Sequence, residues 1–149
     1  MSRIAGIVPA RDGDLDRMLA AMRAEVPVTR HARTLGTSAL GVTTWREPNL
    51  IVSDELLVAV DSQLWTAAQV AALYREHGFV QALTHVDGDF AISLFDRGTS
   101  TLWLARDRFG VKPLYYSAGR QRFAFASQPR ALLAVPDVTT RPNRGFVAR

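Results

Sequence analysis

FAISLFDRGTSTLWLARDRFGVKPLYYSAGRQRFAFA, residues 90–126, holds four strand signals in one stretch. Residues 90–95 and 101–105 are apolar runs carrying aromatic and β-branched side chains, and DRGTS between them supplies turn residues. That is the pattern of a β-hairpin. Residues 113–117 and 122–126 repeat it around AGR. Neighbouring strands joined by such short connections pair antiparallel, because a parallel pair needs a crossover of about a dozen residues or more. The stretch therefore points to a fold built on antiparallel sheet.

The flanking sequence adds further strands and the helices. Ile4, Ala5, Ile7 and Val8 form an apolar run suited to a strand, closed by Pro9. Leu15, Met18, Leu19 and Met22 recur at spacings of three and four, the stripe of an amphipathic helix that Pro27 ends at the latest. Residues 35–45 and 50–60 read as strands, with REPN and SDE as turns. Thr66 and Gln69 form a capping box ahead of Val70, Leu73 and Tyr74, and Gly78 suits the helix C-cap. Residues 128–135 suit a short helix before Pro136. Many antiparallel strands with two or three helices among them argue for an α+β layered domain. The strict alternation and glycine-rich first turn of a doubly wound parallel fold are both missing.

Composition narrows the function classes. The chain has 149 residues, 48% of them hydrophobic, which suits one domain with one core. With no cysteine it has no disulfide, no thiolate metal site and no cysteine nucleophile. No apolar run has transmembrane length and no signal-peptide pattern is present, so a cytoplasmic protein with no membrane partner is expected. His31, His77 and His85 lack metal-ligand spacing, so no metal site is expected, and no phosphate-binding loop of the GxxxxGK[ST] type occurs. The net charge of +4 is unevenly spread: +3 over residues 1–46, −6 over 47–105 and +7 over 106–149. The basic third carries no nucleic-acid recognition motif, and no nucleic-acid partner is expected.

Residues 106–116, RDRFGVKPLYY, mix charge and aromatics most densely. They could line a site. The structural reading has Arg106, Asp107 and Arg108 mutually paired, tying the turn before Gly110 to neighbouring strands, since a buried carboxylate needs a partner.

Residues 86–135 closely resemble the second half of the glutaminase domain of asparagine synthetases. The family pattern there runs L-x-G-x-F-A, then L-x-L-A-R-D-R-F-G-x-K-P-L-Y-Y, then F-A-S-E-x-K-A-L-L. MSRIAGI is similar to the family's M-C-G-I-x-G-I start. The resemblance implies a class II glutamine amidotransferase-like domain of N-terminal-nucleophile fold, a four-layer αββα sandwich of two antiparallel sheets. It spans residues 1–135, with a shortened middle, and residues 136–149 would be a linker toward a synthetase domain not present in this chain. Catalytic members use cysteine at the second position, with its own α-amine as base, to release ammonia from glutamine. β-Lactam synthetases and lasso peptide cyclases have degenerate first domains and use no glutamine. ATP and Mg are implied only for the synthetase domain, and no cofactor for this chain.

The departures fall on the glutaminase site. Ser2 stands in place of the cysteine, and a hydroxyl is far less nucleophilic near neutral pH than a thiol. Arg3 replaces a glycine. Asp61 and Ser62 stand where the family's Asn–Gly pair helps form the oxyanion hole. Losing one such donor costs about 3 kcal/mol, before any repulsion by a carboxylate. The glutamine-recognition segments R-L-S-I-x-D and D-T-E have no counterpart. No catalytic residue is therefore expected: Ser2 is a relic nucleophile position, and Asp61 and Ser62 are relic oxyanion positions. Arg106, Asp107, Arg108, Gly110, Lys112 and Arg130 are expected to be structural or interface residues. The expected function is a non-catalytic domain supporting an ATP-dependent amide-forming synthetase, of lasso peptide cyclase or β-lactam synthetase type, in the same chain or another. The alternatives are a glutamine-hydrolysing domain of an asparagine synthetase, an N-terminal serine hydrolase, and a module that binds a precursor peptide.

Overall fold

A computed structural model describes residues 2–136 and 138. The opening apolar run becomes β1 (Arg3–Val8), the central strand of a five-stranded sheet. It pairs with β3 (Ser38–Thr44) on one side and β9 (Phe123–Ala126) on the other, with β2 (Thr29–Leu35) beyond β3 and β8 (Tyr115–Ala118) beyond β9. The second sheet runs in the order β4 (Leu50–Val52), β5 (Leu56–Ser62), β6 (Phe90–Asp96) and β7 (Thr101–Arg106). Among the described residues every strand pairing is antiparallel.

The period of two along each strand separates two kinds of burial. Ile4, Leu40, Val42 and Phe125 of the first sheet meet Leu57, Ala59, Ala91 and Phe95 of the second, forming the core between the sheets. The alternate residues face outward. Ala5, Ile7, Ala39 and Ala124 are covered by Leu15, Met18 and Leu19 of α1 (Asp14–Ala21) and by Ala131 and Leu132 of α4 (Pro129–Leu133). Val58, Val60, Ile92 and Leu94 are covered by Val70 and Ala71 of α2 (Ala67–His77) and by Phe79 of α3 (Phe79–Ala82). The result is a four-layer αββα sandwich of the N-terminal-nucleophile type. Strands buried on both faces read as continuous apolar runs, which is why β5 and β6 are so plain in the sequence. At Gly6 the inter-sheet core tolerates no side chain, since a Cβ there would collide with Leu40 and the Phe125 ring.

The local signals work as the sequence suggests. Thr66 Oγ1 accepts from Gln69 N at 3.2 Å while Gln69 Oε1 accepts from Thr66 N at 2.9 Å, closing the capping box of α2. Gly78 donates its N–H to Tyr74 O at 2.8 Å and turns the chain with φ +74°.

Several elements differ from the expectation. The strand expected at 35–45 is β3, shortened to Ser38–Thr44, and an additional strand, β2, runs from Thr29 to Leu35 and pairs with it across Gly36 and Thr37. β2 carries no apolar alternation, because Arg30 and Arg33 lie exposed on a sheet edge, where none is required. α3 and the 3-10 turn Leu83–His85 also went unforeseen, being too short to show a period. The strand expected at 113–117 begins at Tyr115, because Pro113 belongs to the preceding turn. Of the expected linker at 136–149, all but residues 136 and 138 lie outside the described residues. Among the described residues no helix is long and apolar enough to cross a membrane.

Candidate functional site

The sandwich brings the start of β1 and the end of β5 to the same end of the molecule. A pocket of about 520 Å³ opens there, its walls including Ser2, Arg46, Asn49, Ser62, Gln63 and Trp65. Ser2 and Ser62, expected as relic site positions, thus share one pocket although sixty residues apart in the chain.

Each hydroxyl has a local partner. Ser2 Oγ donates to Thr44 Oγ1 at 3.1 Å, and the same Thr44 oxygen accepts from Arg46 N at 3.0 Å. The partner of Ser2 Oγ is therefore a neutral hydroxyl. Ser62 Oγ accepts from Leu64 N at 3.2 Å and Trp65 N at 3.3 Å, holding the turn between β5 and α2. Asn49, which the sequence reading passed over, forms the pocket's floor joint. Its Oδ1 accepts from Ala67 N at 2.5 Å, its Nδ2 donates to Trp65 O at 2.8 Å, and its carbonyl accepts from Val60 N at 2.9 Å. A polar residue ending a turn just before a strand was its only signal.

Asp61 sits beside the pocket, 2% exposed. Lys112 Nζ lies 3.3 Å from Asp61 Oδ1, and Lys112 is itself only 4% exposed. Oδ1 makes no hydrogen bond, so the pair attracts by charge without good donor geometry. Burial pushes the Asp61 carboxyl above the ordinary carboxylate range, and the Lys112 ammonium opposes that only in part, with Arg3 helping. Asp61 faces Lys112 and is not among the residues that line the Ser2 pocket, so its carboxyl offers no donor there.

Lys112 is delivered by a turn that Asp107 organises. Asp107 Oδ1 accepts from Phe109 N at 3.1 Å and Val111 N at 2.9 Å, and Oδ2 accepts from Lys112 N at 2.9 Å. Gly110 takes φ +66° inside this turn, a left-handed conformation that costs glycine little. Burial works to raise the Asp107 carboxyl, but the N–H groups of Lys112, Val111 and Phe109 outweigh it and hold it below the ordinary range.

The expected mutual pairing of Arg106, Asp107 and Arg108 is not what the turn uses. Among the described residues no salt bridge joins Asp107 to either arginine, and both arginines are exposed. A carboxylate inside a tight turn is closest to backbone amides, and these satisfy it without desolvating a guanidinium. Arg130 lies exposed on α4. A second buried acid, Asp14, binds Arg122 and takes Arg17 Nη2 at 2.6 Å, joining the start of α1 to the β8–β9 hairpin. Among the described residues no group of three or more metal-ligating side chains gathers.

Comparison with known proteins places this geometry. Residues 62–149 match the model of a family described as the glutamine amidotransferase domain. The chain is 36% identical over 72 residues to asparagine synthetase [glutamine-hydrolyzing] 3 of Bacillus subtilis, covering 46% of this chain and 12% of that protein. It is 25% identical over 116 residues to asparagine synthetase [glutamine-hydrolyzing] 2 of the same organism, covering 66% of this chain and 16% of that protein. It is also 37% identical over 65 residues to the amidase chry2 of Gibberella zeae, covering 44% of this chain and 10% of that protein. The matched part is thus a small share of each relative's length.

Proposed function

Since this chain belongs to the glutamine amidotransferase domain family, with asparagine synthetases among its relatives, we propose that it is a non-hydrolysing domain of an asparagine-synthetase-type amide-forming enzyme. The observation that carries this is the state of the nucleophile position. The chain has no cysteine, and the residue at that position offers a hydroxyl, engaged with Thr44 Oγ1. Nucleophilic catalysis by a hydroxyl needs an adjacent base and a positioned oxyanion donor. Asp61 fills the donor position with a carboxylate spent on Lys112.

In this reading the pocket beside Ser2 is the remnant of an ammonia-releasing site, and the domain serves as scaffold for a synthetase part, in the same chain or another. Activation of a carboxylate by ATP belongs to that part. Its acceptor is an amine already present or ammonia from solution. The relatives favour the asparagine-synthetase side of the alternatives over the β-lactam and lasso-peptide side, because two of them carry that activity in their names.

The test is direct. Protein freed of Met1 is incubated with glutamine, and glutamate and ammonia are measured across the neutral range. No turnover is expected, and Ser2→Cys alone should not restore it, because Asp61 remains. Glutamate release that Ser2→Ala abolishes would show instead an active serine hydrolase.

A further inference from the structure

The two sides of the sandwich treat their strand edges differently. On one side the edge strand β2 carries exposed Arg30 and Arg33, and the edge strand β4 is three residues long. β2 also packs against β4 and β5, closing that side. Charge and brevity are both devices that stop an edge from pairing with foreign strands.

The opposite side is less guarded: β8, four residues long, carries no charge, and the charge on β7 is confined to Arg106 at its end. Its edges are β7 and β8. Leu102–Ala105 and Tyr115–Ala118 contain no charged residue and no proline. A cleft of about 450 Å³ opens between these strands, lined by Leu104, Ala105, Arg106, Leu114, Tyr115 and Tyr116. Tyr116 is 68% exposed and Phe109 88% exposed, with Val111 and Tyr115 exposed beside them. The Tyr116 ring is stacked on Phe123 at 5.6 Å, which holds it in place at the edge. Clustered exposed aromatics beside a free strand edge mark an interaction site more often than a bare surface.

Charge selects the occupant. Arg106, Arg108 and Arg120 are exposed around this side, and among the described residues none of the three has a salt bridge. The acid within the turn, Asp107, is buried and committed to backbone amides. A second copy related by a twofold axis would set these arginines against themselves. Residues 139–149 carry Arg141, Arg144 and Arg149 and no acid, so they have the same sign. We infer that this side receives an extended acidic segment of a partner polypeptide. The segment adds a strand to β8, seats apolar side chains against Leu114, Tyr115 and Tyr116, and places carboxylates on Arg106 and Arg108. Backbone hydrogen bonds supply affinity in such strand addition, and the alternating side chains supply selectivity. The inference rests on the two edges and not on the reading of the Ser2 pocket.

The probe is a fluorescent peptide of about ten residues, alternating valine and threonine with glutamates at both ends. A lysine-flanked version serves as its counterpart. The acid-flanked peptide should bind saturably with a Kd of about 100 μM and slow amide exchange at residues 115–118. Arg106→Glu with Arg108→Glu should weaken it about tenfold, and Arg30→Glu with Arg33→Glu on the far edge should leave it unchanged. The lysine-flanked peptide should bind at least about tenfold more weakly. No saturable binding of the acid-flanked peptide up to millimolar concentration would overturn the inference, as would equal binding of the two peptides. A concentration-dependent dimer in sedimentation that Tyr116→Lys abolishes would also overturn it, in favour of a second copy. A positive glutaminase assay would leave this site standing, and failed peptide binding would leave the pocket reading standing.

Discussion

Asp107 shows how a single side chain can specify a turn. Its two oxygens take three backbone N–H groups within five residues, each at or below 3.1 Å. Asp107→Ala would take the acceptor from three N–H groups, that of Lys112 buried and those of Phe109 and Val111 part-buried, at a cost of about 3 kcal/mol measured by chemical unfolding. The acid limb of the stability curve carries the second half of this prediction. Because the folded carboxyl is held below its ordinary value, its contribution is complete above the unfolded value of about 4 and is lost as pH falls through the folded one. Asp107→Asn should therefore flatten stability in that acid window while keeping one acceptor oxygen. An unchanged midpoint and unchanged acid limb would assign the turn's stability elsewhere.

At the scale of elements, the placement of α2 depends on two separate polar joints. The capping box of Thr66 and Gln69 satisfies the helix's own first turn, and Thr66→Ala should cost about 1 kcal/mol. Asn49 does something different: it ties the lead into β4 to both Trp65 O and Ala67 N, so it sets where α2 starts relative to the second sheet. Asn49→Ala strands a donor and an acceptor and should cost about 2 kcal/mol. The two losses should fail to add in a double-mutant cycle, since both act on the same helix start. Full additivity by urea unfolding would show the joints to be independent. The capping box was legible in sequence because its residues are three apart. Asn49 was not, because its partners are sixteen and eighteen residues away.

Across the whole molecule, the pair of Lys112 and Asp61 joins the turn between β7 and β8 to the inner face of β5. Both groups are buried, so removing one leaves an uncompensated charge. Lys112→Met should cost about 3 to 5 kcal/mol, and the double change with Asp61→Leu should recover most of it. Asp61 also responds to pH in the opposite sense to Asp107. Its folded carboxyl is raised, so the folded state holds the proton more firmly and stability falls as pH rises from the unfolded value toward the folded one. Lys112→Met should steepen that fall. A double variant as unstable as the single one would show that the loss does not come from leaving Asp61 unpaired.

The sequence by itself determined most of the elements and which residue stands at the nucleophile position. Strand periods, the hairpin turns at DRGTS and AGR, the capping box and the lack of cysteine are all local properties of the chain. So is the run at residues 86–135 that carries the family resemblance. The tertiary structure decided the partnerships. It gave Asp107 backbone amides instead of Arg106 and Arg108, set Lys112 against Asp61, and brought Asp14 to Arg122 across 108 residues. It also made β2 a strand despite its charges, and left β8 as an uncharged edge. The reason is that such choices follow from which groups lose water together once the sheets stack. Desolvation is a property of the packed molecule, and no window of sequence contains it.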